Sequence, residues 1–342
     1  MHETPWYLYA GLAVLSALLL VPAFPVFDLN LLAFIALVPI LYVTYNTGLK
    51  KTLGYAVVFS FLFFSLLLFW MNAYLAVVGV AFVTVAYGIY FVLALLCINL
   101  ASRAFPAWRA LLTPFIWVAF DFIRSFGFLG MTFGSMGYTQ HSFLRFIQIA
   151  DIGGEQLVAF IIILFNASLA DLLARLAEVR RRGFDISLRG IGVSRLGALG
   201  ASMLLIAFSL VYGSVRFAEP LPERPRVKLA LVQALSSPRT EWDEEKWGTL
   251  KRLTDLTRQA YLQDPDIDLV VWTETAIRTA LRPNFIYGTP YHMRIRRLVR
   301  ELGVWFLIGS PDHYSVAAEG VKEVDPESLE EIYPDREEVW TN

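Results

Sequence analysis

The sequence is poor in cysteine, histidine and charge. Its 342 residues contain one cysteine, Cys97, so no disulfide framework can form within the chain. Cys97 lies inside an apolar run with no base beside it and reads as a small buried hydrophobe. The four histidines, His2, His141, His292 and His313, are scattered without metal-ligand spacing, and neither a metal nor another cofactor is expected. Charged residues make up 17 % and sum to a net charge of -1, which by itself argues neither for nor against nucleic acid. No nucleic-acid partner is expected.

What the chain has instead is hydrophobicity, at 56 % of residues with a mean hydropathy of +0.54. A soluble domain is about half apolar and about a quarter charged, so the excess points to a membrane protein. Seven apolar stretches approach the length needed to cross a ~30 Å hydrocarbon layer. They lie near residues 7–23, 31–45, 53–71, 75–101, 111–126, 156–176 and 196–215. The first lacks the basic leader and small-x-small site of a signal peptide and is expected to remain as a helix.

Basic residues in the short loops orient this bundle. With the N-terminus in the cytoplasm, Lys50, Lys51, Arg103, Arg109, Arg175, Arg180, Arg181, Arg182, Arg189 and Arg195 all fall inside, against Arg124 and Arg145 outside. An odd number of spans then delivers everything after about Phe217 to the outer face, the periplasm in a bacterium. The fifth stretch carries Trp117, Asp121 and Arg124 at helical spacing, with the acid and the base one turn apart. Charge at membrane depth is costly and marks a candidate substrate-binding site. The other reading is a pair near a helix end that neutralises itself and snorkels to the surface. Residues 127–142, GFLGMTFGSMGYTQHS, either dip into the outer leaflet or form an ordinary periplasmic loop.

Composition changes abruptly at EPLPERPR, residues 219–226, a proline-punctuated linker between a membrane domain (1–218) and an extramembrane domain (227–342). Strand periodicity over 226–233, with Val227, Leu229 and Leu231 on one side, is followed by an amphipathic helix over 244–262, with Trp247, Leu250, Leu253 and Leu256 at three-residue spacing, and an apolar strand over 267–274. A helix basic on its wet face follows over 291–302, then a strand over 304–310. The order β-α-β-α-β implies a sheet flanked by helices. Residues 312–342 are acidic and poorly patterned.

The run LVVWTETAI, residues 269–277, places Glu274 at the C-terminal tip of a strand, where α/β domains expose catalytic groups. By itself such a glutamate is a general base, a metal ligand or a residue favoured where a helix begins. Trp272, Thr275 and Ala276 would surround it with a tight, partly apolar niche suited to a base.

VKLALVQ at 227–233, SPRTEWDE at 237–244 and VVWTETAI at 270–277 resemble the opening of a nitrilase-type carbon–nitrogen hydrolase domain. Behind a multi-span bundle they resemble the apolipoprotein N-acyltransferases. FPVFDLNLLAFIALVPIL (24–41), PFIWVAFDFIRSFGFLGMTFGSMGY (114–138), IADIGGEQLVAF (149–160) and FNA (165–167) resemble that family's membrane half in the same order. The resemblance implies a polytopic helical domain fused to an αββα nitrilase-like domain, monomeric, in the bacterial inner membrane. It implies transfer of an acyl chain from a phospholipid, through a cysteine thioester, to the N-terminal amine of a diacylated apolipoprotein. Within it Glu274 is the catalytic general base, and Trp242 binds the acyl chain or lipid glycerol. The family's lysine and cysteine lie on motifs that these 342 residues do not match. Neither Cys97 nor Lys322 stands in for them, and the nitrilase-like domain is expected to be cut short. Two other readings are a non-catalytic scaffold or transporter with a degenerate hydrolase-like domain, and a membrane-tethered amidase. No internal repeat of the transporter kind is found.

Overall fold

Apolar backbone out of reach of water must satisfy its own hydrogen bonds, and residues Met1–Leu221, one of two compact units of the computed structural model, accordingly form helices. The structure describes residues 5–25, 27–73, 75–127, 130–181, 193–219, 226–234, 242–274, 276–277 and 290–310. The main helices of this unit are α1 (Trp6–Leu20), α2 (Val38–Asn46), α3 (Leu49–Leu67), α4 (Val77–Ala104), α5 (Arg109–Arg124), α6 (Ala150–Arg181) and α7 (Val193–Ala218). Among the described residues, five helical segments are long and apolar enough to cross a membrane: Trp6–Ala23, Leu49–Leu67, Val77–Ala104, Ala150–Arg180 and Arg195–Ala218.

The other two predicted spans are shorter helices. The segment Asn30–Asn46 is broken before α2, at Leu37, because Pro39 cannot donate to the helical ladder. Side chains from other helices repair the break. Asn166 of α6 accepts from Leu37 N at 2.9 Å and donates to Ala33 O at 2.9 Å, while Ser16 of α1 donates to Ala36 O and accepts from Ile40 N. Helix α5 has 16 residues and buries one stripe at helical spacing: Ala110, Thr113, Pro114, Trp117, Asp121 and Arg124.

Lipid tails are as apolar as side chains, so close packing holds such a bundle together. Phe59, Phe63 and Phe64 of α3 pack on Phe91 of α4, and Phe91 meets Trp117 of α5 at 4.7 Å between ring centres. A second tie joins α5, α6 and α7: the buried Asp171 carboxylate pairs with both Arg109 and Arg195.

The second unit, Pro222–Asn342, contains a parallel sheet in the order β1 (Leu229–Val232), β2 (Leu269–Trp272), β3 (Trp305–Leu307). Its register pairs Leu229 with Leu269 and Leu269 with Trp305. The crossovers are α8 (Trp242–Gln263) and α9 (Pro290–Leu302). Strand alternation puts Ala230, Val232, Val270 and Trp272 on one face, packed with Leu250 and Leu253 of α8 and Ile295 and Leu298 of α9. On the opposite face Leu229, Leu231, Trp305 and Leu307 are exposed among the described residues. The predicted order of elements is observed, with strands shorter than their apolar runs.

Candidate functional site

Two places carry functional side chains, one in each unit. In the first, the stripe on α5 ends at Asp121 and Arg124, which form a buried ion pair. Arg124 is 1 % exposed and Asp121 8 %, so the pair faces protein and does not snorkel to the surface. Arg124 also donates through Nη1 to the carbonyls of Met131 at 2.7 Å and Phe133 at 2.6 Å. Its guanidinium lies 5.7–5.9 Å from the ring centres of Phe91, Phe64 and Tyr87.

Those two carbonyls belong to the arm between α5 and α6, so one cation ties the arm to the bundle. The turn Met136–Gln140 is almost wholly buried, with Tyr138 at its surface, and packs against the start of α6. Ser135 donates to the Glu155 carboxylate at 2.6 Å. Gly137 is required here, because a Cβ would stand 2.6 Å from Glu155 Oε2 and 2.7 Å from Glu155 O. Gly154, at φ +67, breaks the helical path just before Glu155. This stretch of backbone is buried in protein, with its irregular turn held by side chains of the bundle. Glu155 is the residue that sequence reasoning missed. Its only signal is an acid after a glycine pair at the head of an apolar run.

In the second unit, Glu274 follows β2 and stands exposed in a turn closed by the Ala276 N–H donating to Thr273 O at 3.0 Å. The Ile277 N–H donates to Gly309 O at 3.4 Å, which holds the turn beside the exit of β3. Glu274 therefore lies at the carboxyl edge of a parallel sheet, outside the strand ends where such sheets place ligands. Trp272 anchors the strand below it: its Nε1–H donates to Thr257 Oγ1 of α8 at 3.0 Å, and Thr257 donates to Leu253 O at 2.7 Å. Of the predicted niche, Trp272 and Ala276 are buried in the core, and Thr275 lies outside the described residues.

Trp242 is the first residue of α8, and its side chain lies outside the described residues, as does Lys322. Cys97 sits half-buried on α4. Charge pairs brace the far edge of this sheet. Lys228 Nζ donates to Asp264 at 3.0 Å, holding that carboxyl below the usual carboxylate range, and the Lys228 N–H donates to Asp268 at 2.7 Å. On α9, burial and then the charge of Arg296 push His292 below the ordinary imidazole range.

Residues 16–168 match the family model described as the apolipoprotein N-acyltransferase N-terminal domain. Curated relatives include apolipoprotein N-acyltransferase 1 of Treponema denticola, 28 % identical over 314 residues, covering 88 % of this chain and 56 % of the relative. The apolipoprotein N-acyltransferase of Geobacter metallireducens is 30 % identical over 319 residues, with 88 % and 56 % covered. That of Chlorobaculum tepidum is 29 % identical over 318 residues, with 89 % and 56 % covered. The chain spans about half the length of these relatives, 56 % in each case.

Proposed function

This chain is a relative of the apolipoprotein N-acyltransferases, and we propose that it serves the same reaction: acyl transfer from a phospholipid to the N-terminal amine of a diacylated apolipoprotein. The observation that carries this reading is similarity over 88 % of the chain, which takes in both units. In this reading the second unit is the start of a nitrilase-like carbon–nitrogen hydrolase domain. It works on the periplasmic face of the inner membrane, behind a seven-span bundle whose N-terminus is cytoplasmic.

Glu274 is the general base. An exposed carboxylate at a sheet edge can take a proton from a cysteine thiol, whose thiolate attacks the phospholipid ester to form a thioester. It returns that proton to the lysophospholipid alcohol that leaves, then takes one from the lipoprotein amine as that amine attacks the thioester and passes it to the departing cysteine thiolate. Trp242, at the head of α8, contributes an aromatic surface for the acyl chain or lipid glycerol. Asp121 and Arg124 serve substrate binding through the arm that Arg124 holds. Cys97 is no candidate for the acyl-carrying thiol, since it lies within a membrane-spanning helix.

Reading the coding DNA past Asn342 tests this first. The proposal expects an in-frame Tyr-x-Lys-x-His-like segment followed by a cysteine. A stop codon with no partner gene supplying them would remove the catalytic reading and leave a membrane scaffold.

A further inference from the structure

Helix α9 takes no part in the chemistry proposed above, yet its outer face is unusual. Ile295 and Leu298 bury one side of it against the sheet. On the other side Met293, Arg297 and Arg300 follow at intervals of four and three residues, so they stack into one stripe facing away from the core. All three are exposed, Met293 at 58 %. Arg296 flanks the stripe half-buried, and Arg294 lies exposed with its guanidinium 5.2 Å from the ring centre of Trp247. The one acid of this helix, Glu301, is taken by a two-pronged pair with Arg258 at 2.9 and 2.7 Å. Among the described residues no carboxylate pairs with Arg297 or Arg300.

An ordinary wet helix face mixes charges of both signs and keeps apolar side chains away from its centre. This one carries a single sign with a methionine on the stripe, the pattern of a helix that lies against a lipid interface. Guanidinium groups present planar, paired donors that match phosphate oxygens. The tether is short as well. Ten residues, 219–228, separate the end of α7 from the start of β1, a reach of roughly 35 Å when fully extended. We propose that the stripe Met293–Arg297–Arg300 docks on anionic phospholipid headgroups of the membrane that holds the first unit, with Arg296 at its flank. This inference stands independently of the acyl-transfer reading.

The test uses the full chain with Cys97→Ser and Met293→Cys, spin-labelled at 293, in nanodiscs of phosphatidylcholine alone or mixed with phosphatidylglycerol. Collision of the label with a water-soluble nickel complex reads its exposure. The expected result is a several-fold loss of collision in the mixed discs only, reversed by Arg297→Glu with Arg300→Glu and by high salt. The pair Arg297→Gln and Arg300→Gln repeats the test with less risk to folding, and hydrogen exchange at Leu269–Trp272 checks that the sheet is intact. Equal collision in both lipids would overturn the proposal. So would protection that persists without the two arginines. Protection already present in phosphatidylcholine would assign the face to another occupant, such as the acidic residues 312–342, and would overturn it too.

Discussion

Arg124 and Asp121 stand one turn apart on α5 as a buried ion pair, and the same guanidinium holds the arm through the carbonyls of Met131 and Phe133. Desolvating two charges is repaid only when the geometry is good and further hydrogen bonds meet the remaining groups. Here the cation meets a carboxylate, two carbonyls and three aromatic rings, while its Nε–H has no partner among the described residues. Arg124→Leu leaves Asp121 buried without its partner and releases the arm. The expected loss is about 3–5 kcal/mol. Thermal unfolding in detergent measures the loss, and limited proteolysis within residues 127–149 should rise with it. Arg124→Lys keeps the charge but not the fork, and should fall between the two.

Gly137 tests the same arm from the other side. A methyl group there collides with both the carboxylate and the carbonyl of Glu155, a carbonyl that cannot rotate away as a side chain would. Gly137→Ala should cost about 1–3 kcal/mol, the range for overpacking. Hydrogen exchange of the turn Met136–Gln140 should rise with it, while α1 and α3 keep their protection.

Trp272 positions the turn that carries Glu274. Trp272→Phe keeps most of the packing but loses the bond to Thr257, an expected cost of about 1 kcal/mol that hydrogen exchange on β2 would register. Trp272→Ala opens the core beneath the turn and should cost about 3–5 kcal/mol.

The second unit should lose stability in two stages as pH falls. His292 is held below the ordinary imidazole range by burial and Arg296, so the folded state resists its protonation. Stability therefore drops first as pH passes below about 6.5. Hydrogen bonds from Lys228 and Arg258 depress Asp264 and Glu301, and their contribution, present above the ordinary carboxylate range, is lost as pH falls through their lowered values. Lys228, raised by Asp264, adds stability that is lost only in strong alkali. A pH series of thermal melts should show both stages, and His292→Gln should remove the upper one alone.

Where one physical rule dominates a segment, the sequence was enough to read its period. The alternation over 226–233 appears in β1, but the core takes the face of Ala230 and Val232 and leaves Val227, Leu229 and Leu231 exposed; of the spaced residues Trp247, Leu250, Leu253 and Leu256, Leu250 and Leu253 are buried. Asp121 and Arg124 were visible as charges one turn apart. What they hold was not, because Met131 and Phe133 take part through backbone carbonyls, which no side-chain pattern reports. The break before α2 was hidden for a related reason. Pro39 announces a kink, but the residues that satisfy it, Ser16 and Asn166, come from 24 and 129 positions away. Glu155 went unnoticed because its partner Ser135 lies 20 residues away on an irregular segment. The two shorter helices show the limit of hydropathy, which finds apolar content but not where a ladder of hydrogen bonds stops.

The most direct test of the central claim is the acylation state of lipoprotein N-termini, read by mass spectrometry. The host would be a bacterium depleted of its own activity and expressing the open reading frame that carries these residues. The account predicts N-acylated termini with Glu274 present and a fall in rate of about 10²–10⁴-fold for Glu274→Gln at unchanged protein level. Diacylated termini that stay unmodified with Glu274 intact, or full acylation by the Glu274→Gln protein, would contradict it.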